Sequence, residues 1–230
     1  MGKILIKNIG KIVSGDLKKG IIPGDALLIE NGLFAGIGKE SALDTKGVES
    51  VVDVRGMVVI PGLVETHAHA WIEDYYPGLQ IIEWMKSTLL AGVTTLISAR
   101  TMCMGGEPEP SFVKAMAIVG QRRWAAQKPG GYLKVHGGTL DLVDNMKESD
   151  FKEVADQGVH LVAEIGVGGT ADAAQMKQYI EWCRKYELIV SIHFGGRMVP
   201  GSFAPSPEFI IDMNPDYVAH ANGGPTAPSL

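Results

Sequence analysis

Two cysteines are all that this 230-residue chain contains. Cys103 and Cys183 form no CxxC pair and lie far apart in the chain, which excludes a disulfide framework and a zinc knuckle and leaves them as inert thiols. There is no basic stripe and no run of like charge. A formal net charge of −5 argues against nucleic acid or an anionic membrane as the main partner. No window approaches the ~18 uninterrupted apolar residues of a membrane-spanning helix. The opening MGKILIKNIGKIVSGDL breaks its apolar pieces with Lys3, Lys7 and Lys11 and offers neither the apolar stretch nor the small-residue cleavage site of a secretory leader, so a cytoplasmic location is expected. What remains is ordinary: 46% apolar and 20% charged residues, enough for one large domain or one large and one small.

The texture changes near residue 60. Residues 3–60 read as short strands, ILIKNI, KIVSG, ALLIENG, LFAGIGK and VVDVRGMVVI, with Gly, Asn and Asp between them and nothing helical. From residue 61 an apolar strand, a loop and a helical pattern repeat. Candidate strands begin near Gly62, Val93, Tyr132, Val159, Leu188 and Asp216, at spacings of 31, 39, 27, 29 and 28 residues. Between them lie amphipathic segments at 79–91, 111–127, 149–157 and 172–187. That alternation predicts βαβ units and a parallel sheet.

Two parallel architectures compete. An open doubly wound sheet gathers its chemistry at one switch point, whereas a closed (β/α)8 barrel places functional residues at the C-terminal ends of several strands. His69, His136, Glu164, His193 and His220 each close a proposed strand, and His67 lies two residues before His69. Five of the six histidines are thus strand-end residues, which favours an α/β fold of the (β/α)8 type with about six units present in residues 61–230.

The same residues define a chemistry. In GLVETHAHA the i, i+2 spacing aims the His67 and His69 rings at one spot if the segment is a strand. Imidazole and carboxylate donors suit zinc, iron or manganese. Two ions about 3.5–4 Å apart would need roughly this set, two imidazoles each with Glu164 between them. Glu164 ends the apolar run VHLVAE, where an unpaired buried charge would cost several kcal/mol, on the order of the penalty for burying any lone ion. The competing explanations are a salt bridge from Glu164 to a lysine or arginine, and hydrogen-bonded loop histidines at His136 and His160.

PGLVETHAHA after MVVI, the strand GVTTLISA, KVHGG, the glutamate of AEIG, the histidine of SIHFGG and HANGGPTA together resemble the metal-dependent amidohydrolase superfamily. HGG, the GG after His193 and NGGPTA resemble its enamidase branch, the cyclic-enamide hydrolases of nicotinate fermentation. The resemblance implies that His67 and His69 hold one metal, that His193 and His220 hold the other, and that Glu164 bridges them where many members use a carbamylated lysine. It implies two divalent ions, zinc and/or iron. It implies attack by a metal-bridged hydroxide on a cyclic amide or enamide such as a partly reduced oxo-pyridine carboxylate, with loss of ammonia from the released enamine. His136 and Arg197 are expected to face the substrate, with a structural histidine and a solvated loop charge as the alternatives. Glu65 stands where the family usually has aspartate, and no role is assigned to it.

The family's catalytic aspartate ends an eighth strand, and residues 62–220 hold six. The expectation is therefore an N-terminal portion of a longer enzyme, with no catalytic proton carrier of its own: residues 1–60 as part of a small β-sandwich domain and residues 61–230 as a partial barrel. Such a chain would act on a small molecule, would be a homo-oligomer at full length, and would self-associate through unpaired edges on strands one and six if isolated. Three other readings remain open: another superfamily activity such as deaminase, dihydroorotase-like or peptidase chemistry; an inactive metal-binding fragment; and a dinucleotide site built on the G-x-G-x-x-A of EIGVGGTA.

Overall fold

Short apolar runs punctuated by Asn, Gly and Asp become short strands. The computed structural model describes residues 2–70, 81–101, 108–126, 133–169, 172–195 and 203–221. The chain divides into two units, Met1–Gly62 and Leu63–Leu230.

In the first unit, β1 (Lys3–Lys7), β4 (Ala26–Glu30), β5 (Leu33–Gly38) and β6 (Val48–Asp53) form a sheet in the order β5-β4-β1-β6. A second sheet, β3-β2-β7, is made by β2 (Lys11–Val13), β3 (Ile21–Ile22) and β7 (Val58–Val59). Alternate residues of β4 serve opposite faces. Leu28 packs with Leu5 and Ala26 under Leu43 and Val48, whereas Leu27 packs with Ile9 and Ile12 against Ile22 and Val59. The two sheets therefore pack through Leu27. Asn31 and Gly32, with φ of 53° and 81°, form the tight β4–β5 turn that an Asn-Gly pair favours. The run VVDVRGMVVI, expected as one strand, is broken into β6 and β7 because Arg55 and Gly56 turn at φ 50° and 81°.

The second unit alternates strand and helix: β8 (Leu63–Ala68), α1 (Ile81–Leu90), β9 (Val93–Ser98), α2 (Pro110–Ala126), β10 (Lys134–His136), β11 (Thr139–Leu140), α3 (Glu148–Asp156), β12 (Leu161–Val162), α4 (Ala173–Lys185), β13 (Ser191–His193), α5 (Pro207–Met213) and β14 (Tyr217–Ala219). All the strand pairings are parallel. They join β8 to β9, β9 to β10, β11 to β12 and β13 to β14, and the bridges Leu161↔Ile189 and Ile165↔Ile192 tie β12 to β13. Each strand position lies beside its predecessor in the chain, with none of the order reversal of a doubly wound sheet. The architecture is mixed α/β with parallel pairs in sequence order, and no closed barrel is formed among the described residues.

Four helices fall where the amphipathic segments lie, and their starts have visible causes. The Asp172 side chain accepts a 2.7 Å hydrogen bond from the Gln175 amide at the start of α4, and Ser206 with Pro207 begins α5. The helices α2 to α5 cover a core in which Phe151, Tyr179 and Trp182 meet with ring centroids 5.4–5.6 Å apart. The buried Tyr179 hydroxyl accepts a 3.0 Å hydrogen bond from the Met146 amide.

The expected strand VHLVAEIG is regular only at Leu161–Val162, because its hydrogen bonding then changes partner. The Ala163 amide still donates to Leu140, but that of Glu164 donates to Ala99, at the end of β9.

Candidate metal centre

His67 and His69 stand at the C-terminal end of β8, and their ring centroids lie 5.4 Å apart at an interplanar angle of 86°. The β8–β9 register shifts between Glu65 and Ala68. Within that irregular stretch Glu65 Oε1 accepts a 2.8 Å hydrogen bond from the His67 amide, so the residue that departs from the family pattern braces the backbone carrying His67.

Glu164 is the hub. Only 4% of it is exposed. Its Oε1 lies 2.9 Å from His193 Nδ1 and 2.9 Å from His220 Nε2, and its Oε2 lies 3.5 Å from His67 Nε2. Burial pushes the carboxyl pKa up, but the His67 and His193 imidazoles outweigh burial and hold it down to about 2. Desolvation, reinforced by the His67 ring, lowers the pKa of His69 against the pull of Glu164, and burial lowers that of His220. Both shifts favour the neutral ring, the form that offers a lone pair to a metal.

The remaining contacts close the group. The His67 and His220 centroids are 4.5 Å apart, and those of His193 and His220 are 5.2 Å apart. One ligand atom each from His67, Glu164 and His220 falls within a 4.8 Å span. Both ring nitrogens of His67 are buried without a hydrogen-bond partner among the described residues, the Glu164 oxygen being too distant. His220 adopts φ 60°, a left-handed conformation uncommon for a residue with a side chain.

The structure brings together His67, Glu164, His193 and His220, and leaves His69 exposed beside the His67 ring. It does not bring His136 to them. The pair Gly137–Gly138 interrupts the strand after His136, the chain resumes as β11, and Asp141 rather than His136 follows its end. His136 is exposed, and its charged neighbours are Lys134 and His160. Arg197 lies outside the described residues. The salt bridge considered for Glu164 is absent among the described residues, its partners being imidazoles.

Two buried residues escaped the sequence reading. Arg100, just past β9, donates from Nη2 to Asp141 Oδ1 at 2.5 Å and from Nη1 to the Val167 carbonyl. Burial pushes the Asp141 carboxyl up against the pull of Arg100. The signal was present, since each ends an apolar run, SAR and GGTLD, as Glu164 does. The dinucleotide reading of EIGVGGTA meets an obstacle at α4, because the Asp172 carboxylate takes the helix N-terminal amide where a pyrophosphate would sit.

No family model matches the chain. Enamidase of Eubacterium barkeri is 39% identical over 231 residues, which span 100% of this chain and 60% of that protein. The 5'-deoxyadenosine deaminase of Methanosarcina mazei is 38% identical over 174 residues, covering 66% of this chain and 37% of the deaminase. The crystal structure of enamidase, described as a new member of the amidohydrolase superfamily, superposes with a TM-score of 0.88 at 39% identity over 99% of this chain and 59% of its own. The chain thus spans about three fifths of the length of the enamidase it matches. Likeness in sequence and backbone runs from end to end of these 230 residues, and what the chain is similar to is a member of the amidohydrolase superfamily.

Proposed function

We propose that this chain carries the metal-binding half of a barrel hydrolase that opens a cyclic amide or enamide at its C–N bond. The observation that carries the reading is the single buried carboxylate of Glu164 shared among three imidazoles from three different strand ends. The donors fit the proposed ions. Four imidazoles and one carboxylate are borderline N and O ligands of the kind zinc and iron take, and a half-buried His67 whose two ring nitrogens are buried with no hydrogen-bond partner among the described residues is costly unless something further binds it. His67 and His69 would hold one ion, His193 and His220 the other, with Glu164 common to both.

Ions so placed supply Lewis acidity, which lowers the pKa of water and polarises a carbonyl. The chain's own residues do the positioning. Glu164 orients the His193 and His220 rings through its Oε1, Glu65 fixes the His67 main chain, and burial of Glu164 keeps bulk water from competing for its oxygens. No described residue is assigned the proton transfer to the leaving nitrogen. The family resemblance places that aspartate on an eighth strand.

The proposed substrate is a partly reduced oxo-pyridine carboxylate, by similarity to enamidase. Deamination of an aminopurine nucleoside is the second reading, favoured by the likeness to 5'-deoxyadenosine deaminase. The full-length protein, its metal content measured by mass spectrometry, is offered cyclic enamides, hydantoins, dihydropyrimidines and aminopurine nucleosides. Metal-dependent ring opening of the enamide is the expected result. Protein free of transition metal, or turnover of the nucleosides alone, would overturn the reading.

A further inference from the structure

We propose that Arg100, clamped by Asp141, is a positioning residue that sets the direction of the Glu164 carboxylate. The inference rests on the metal-site reading above. Ile165 is tied to β13 by its amide to the Ser191 carbonyl at 3.0 Å and its carbonyl to the His193 amide at 2.8 Å, but beyond it Gly166, Gly168 and Gly169 all lie at positive φ, between 82° and 101°. The internal hydrogen bond of the turn after Glu164, from the Val167 amide to the Glu164 carbonyl, is 3.3 Å long. Residues 99 and 100 hold the turn from the β9 side. The Ala99 carbonyl accepts the Glu164 amide at 3.3 Å, and the Arg100 guanidinium donates to the Val167 carbonyl, so two consecutive residues grip both ends of the Glu164–Val167 turn.

The turn lies directly on this support. A Cβ at Gly169 would come within 2.2 Å of the Leu142 carbonyl oxygen, next to Asp141, and one at Gly168 would meet Arg100 Nη2 at 3.4 Å. Stability explains the pair poorly. Burying a guanidinium and a carboxylate costs desolvation that apolar residues of the same volume avoid, and Arg100 Nε is buried with no partner among the described residues. A planar fork with two fixed donor directions suits the task of tying one strand end to a neighbouring turn.

The test is a titration of the metal-free full-length protein with Co2+ alone, followed by visible absorption and far-UV circular dichroism. Arg100→Met is expected to keep the far-UV spectrum, to change the position and intensity of the Co2+ bands, and to weaken binding by about 10–100-fold, the usual effect of losing a partner behind the ligands. Arg100→Lys, which keeps the charge but not the fork, should fall between. Co2+ binding by Arg100→Met with wild-type affinity and spectrum overturns the proposal. If Glu164→Gln abolishes binding in that same case, the metal site itself stands; if wild type binds no Co2+, both readings fall. Should Arg100→Met lose its fold, Arg100→Lys and Asp141→Asn carry the decision by the same bands, and unfolding of all three overturns the proposal in favour of a purely structural pair.

Discussion

Replacing Glu164 with glutamine leaves the volume of the hub unchanged and removes its charge. In the metal-free protein the variant should lose stability at neutral pH, because the imidazole attraction that outweighs burial and keeps the carboxylate anionic is removed. Metal loading adds a second effect. A ligand at 100 times its dissociation constant stabilises the folded state by about 2.7 kcal/mol. In a chain of this size each kcal/mol shifts the melting temperature by roughly 2–4 °C, so saturating zinc should raise the wild-type midpoint by about 5–11 °C. Glutamine presents one neutral oxygen and one NH2 where two anionic oxygens faced three rings, so that rise should vanish in Glu164→Gln. Differential scanning fluorimetry with and without Zn2+ measures both quantities. A zinc-induced rise in the variant equal to that of wild type would refute the reasoning.

Three further outcomes concern the scaffold. Phe151→Ala opens a void against Tyr179 and Trp182 and should cost about 3–5 kcal/mol, read from the urea midpoint at unchanged slope. Asp172→Ala removes the α4 cap and should cost about 1 kcal/mol by the same measurement. Burial pushes the Asp150 carboxyl up, but the Lys114 ammonium at 2.8 Å and the Lys147 amide outweigh it and hold its pKa below 3.8. Its stabilising effect is therefore complete above about pH 4 and lost as pH falls through the depressed value, so the wild-type advantage over Asp150→Asn should be largest near neutrality and disappear in acid, as followed by urea unfolding across pH.

How much of this was legible in the residues depends on how local each cause is. The strand-end histidines and Glu164 could be read because a polar residue closing an apolar strand is visible in one dimension, and strands in sequence order carry such residues to one end. The helices α1 to α4 could be read because amphipathic spacing is local as well, whereas the short α5 had no segment assigned to it. At His136 the pattern is less simple, because a glycine pair interrupts the strand and regular pairing resumes at Thr139–Leu140. Arg100 and Asp141 close apolar runs as Glu164 does, but their pairing with each other becomes visible only in the fold, where the two side chains meet in a buried ion pair. The short regular part of β12 has the same origin, its amides changing partner in three dimensions at Glu164.

His220 meets Glu164 from a backbone at φ 60°, a conformation that glycine adopts at no steric cost. One position is thereby caught in a trade-off between robustness and use. Exchanging it for glycine should leave the metal-free fold as durable or more so in urea while stripping a ring from the cluster, so the selective value of that imidazole outweighs the conformational ease it forgoes. A glycine variant markedly less durable than wild type in the absence of metal would show instead that the ring's contact with Glu164 matters more to folding than its awkward main chain.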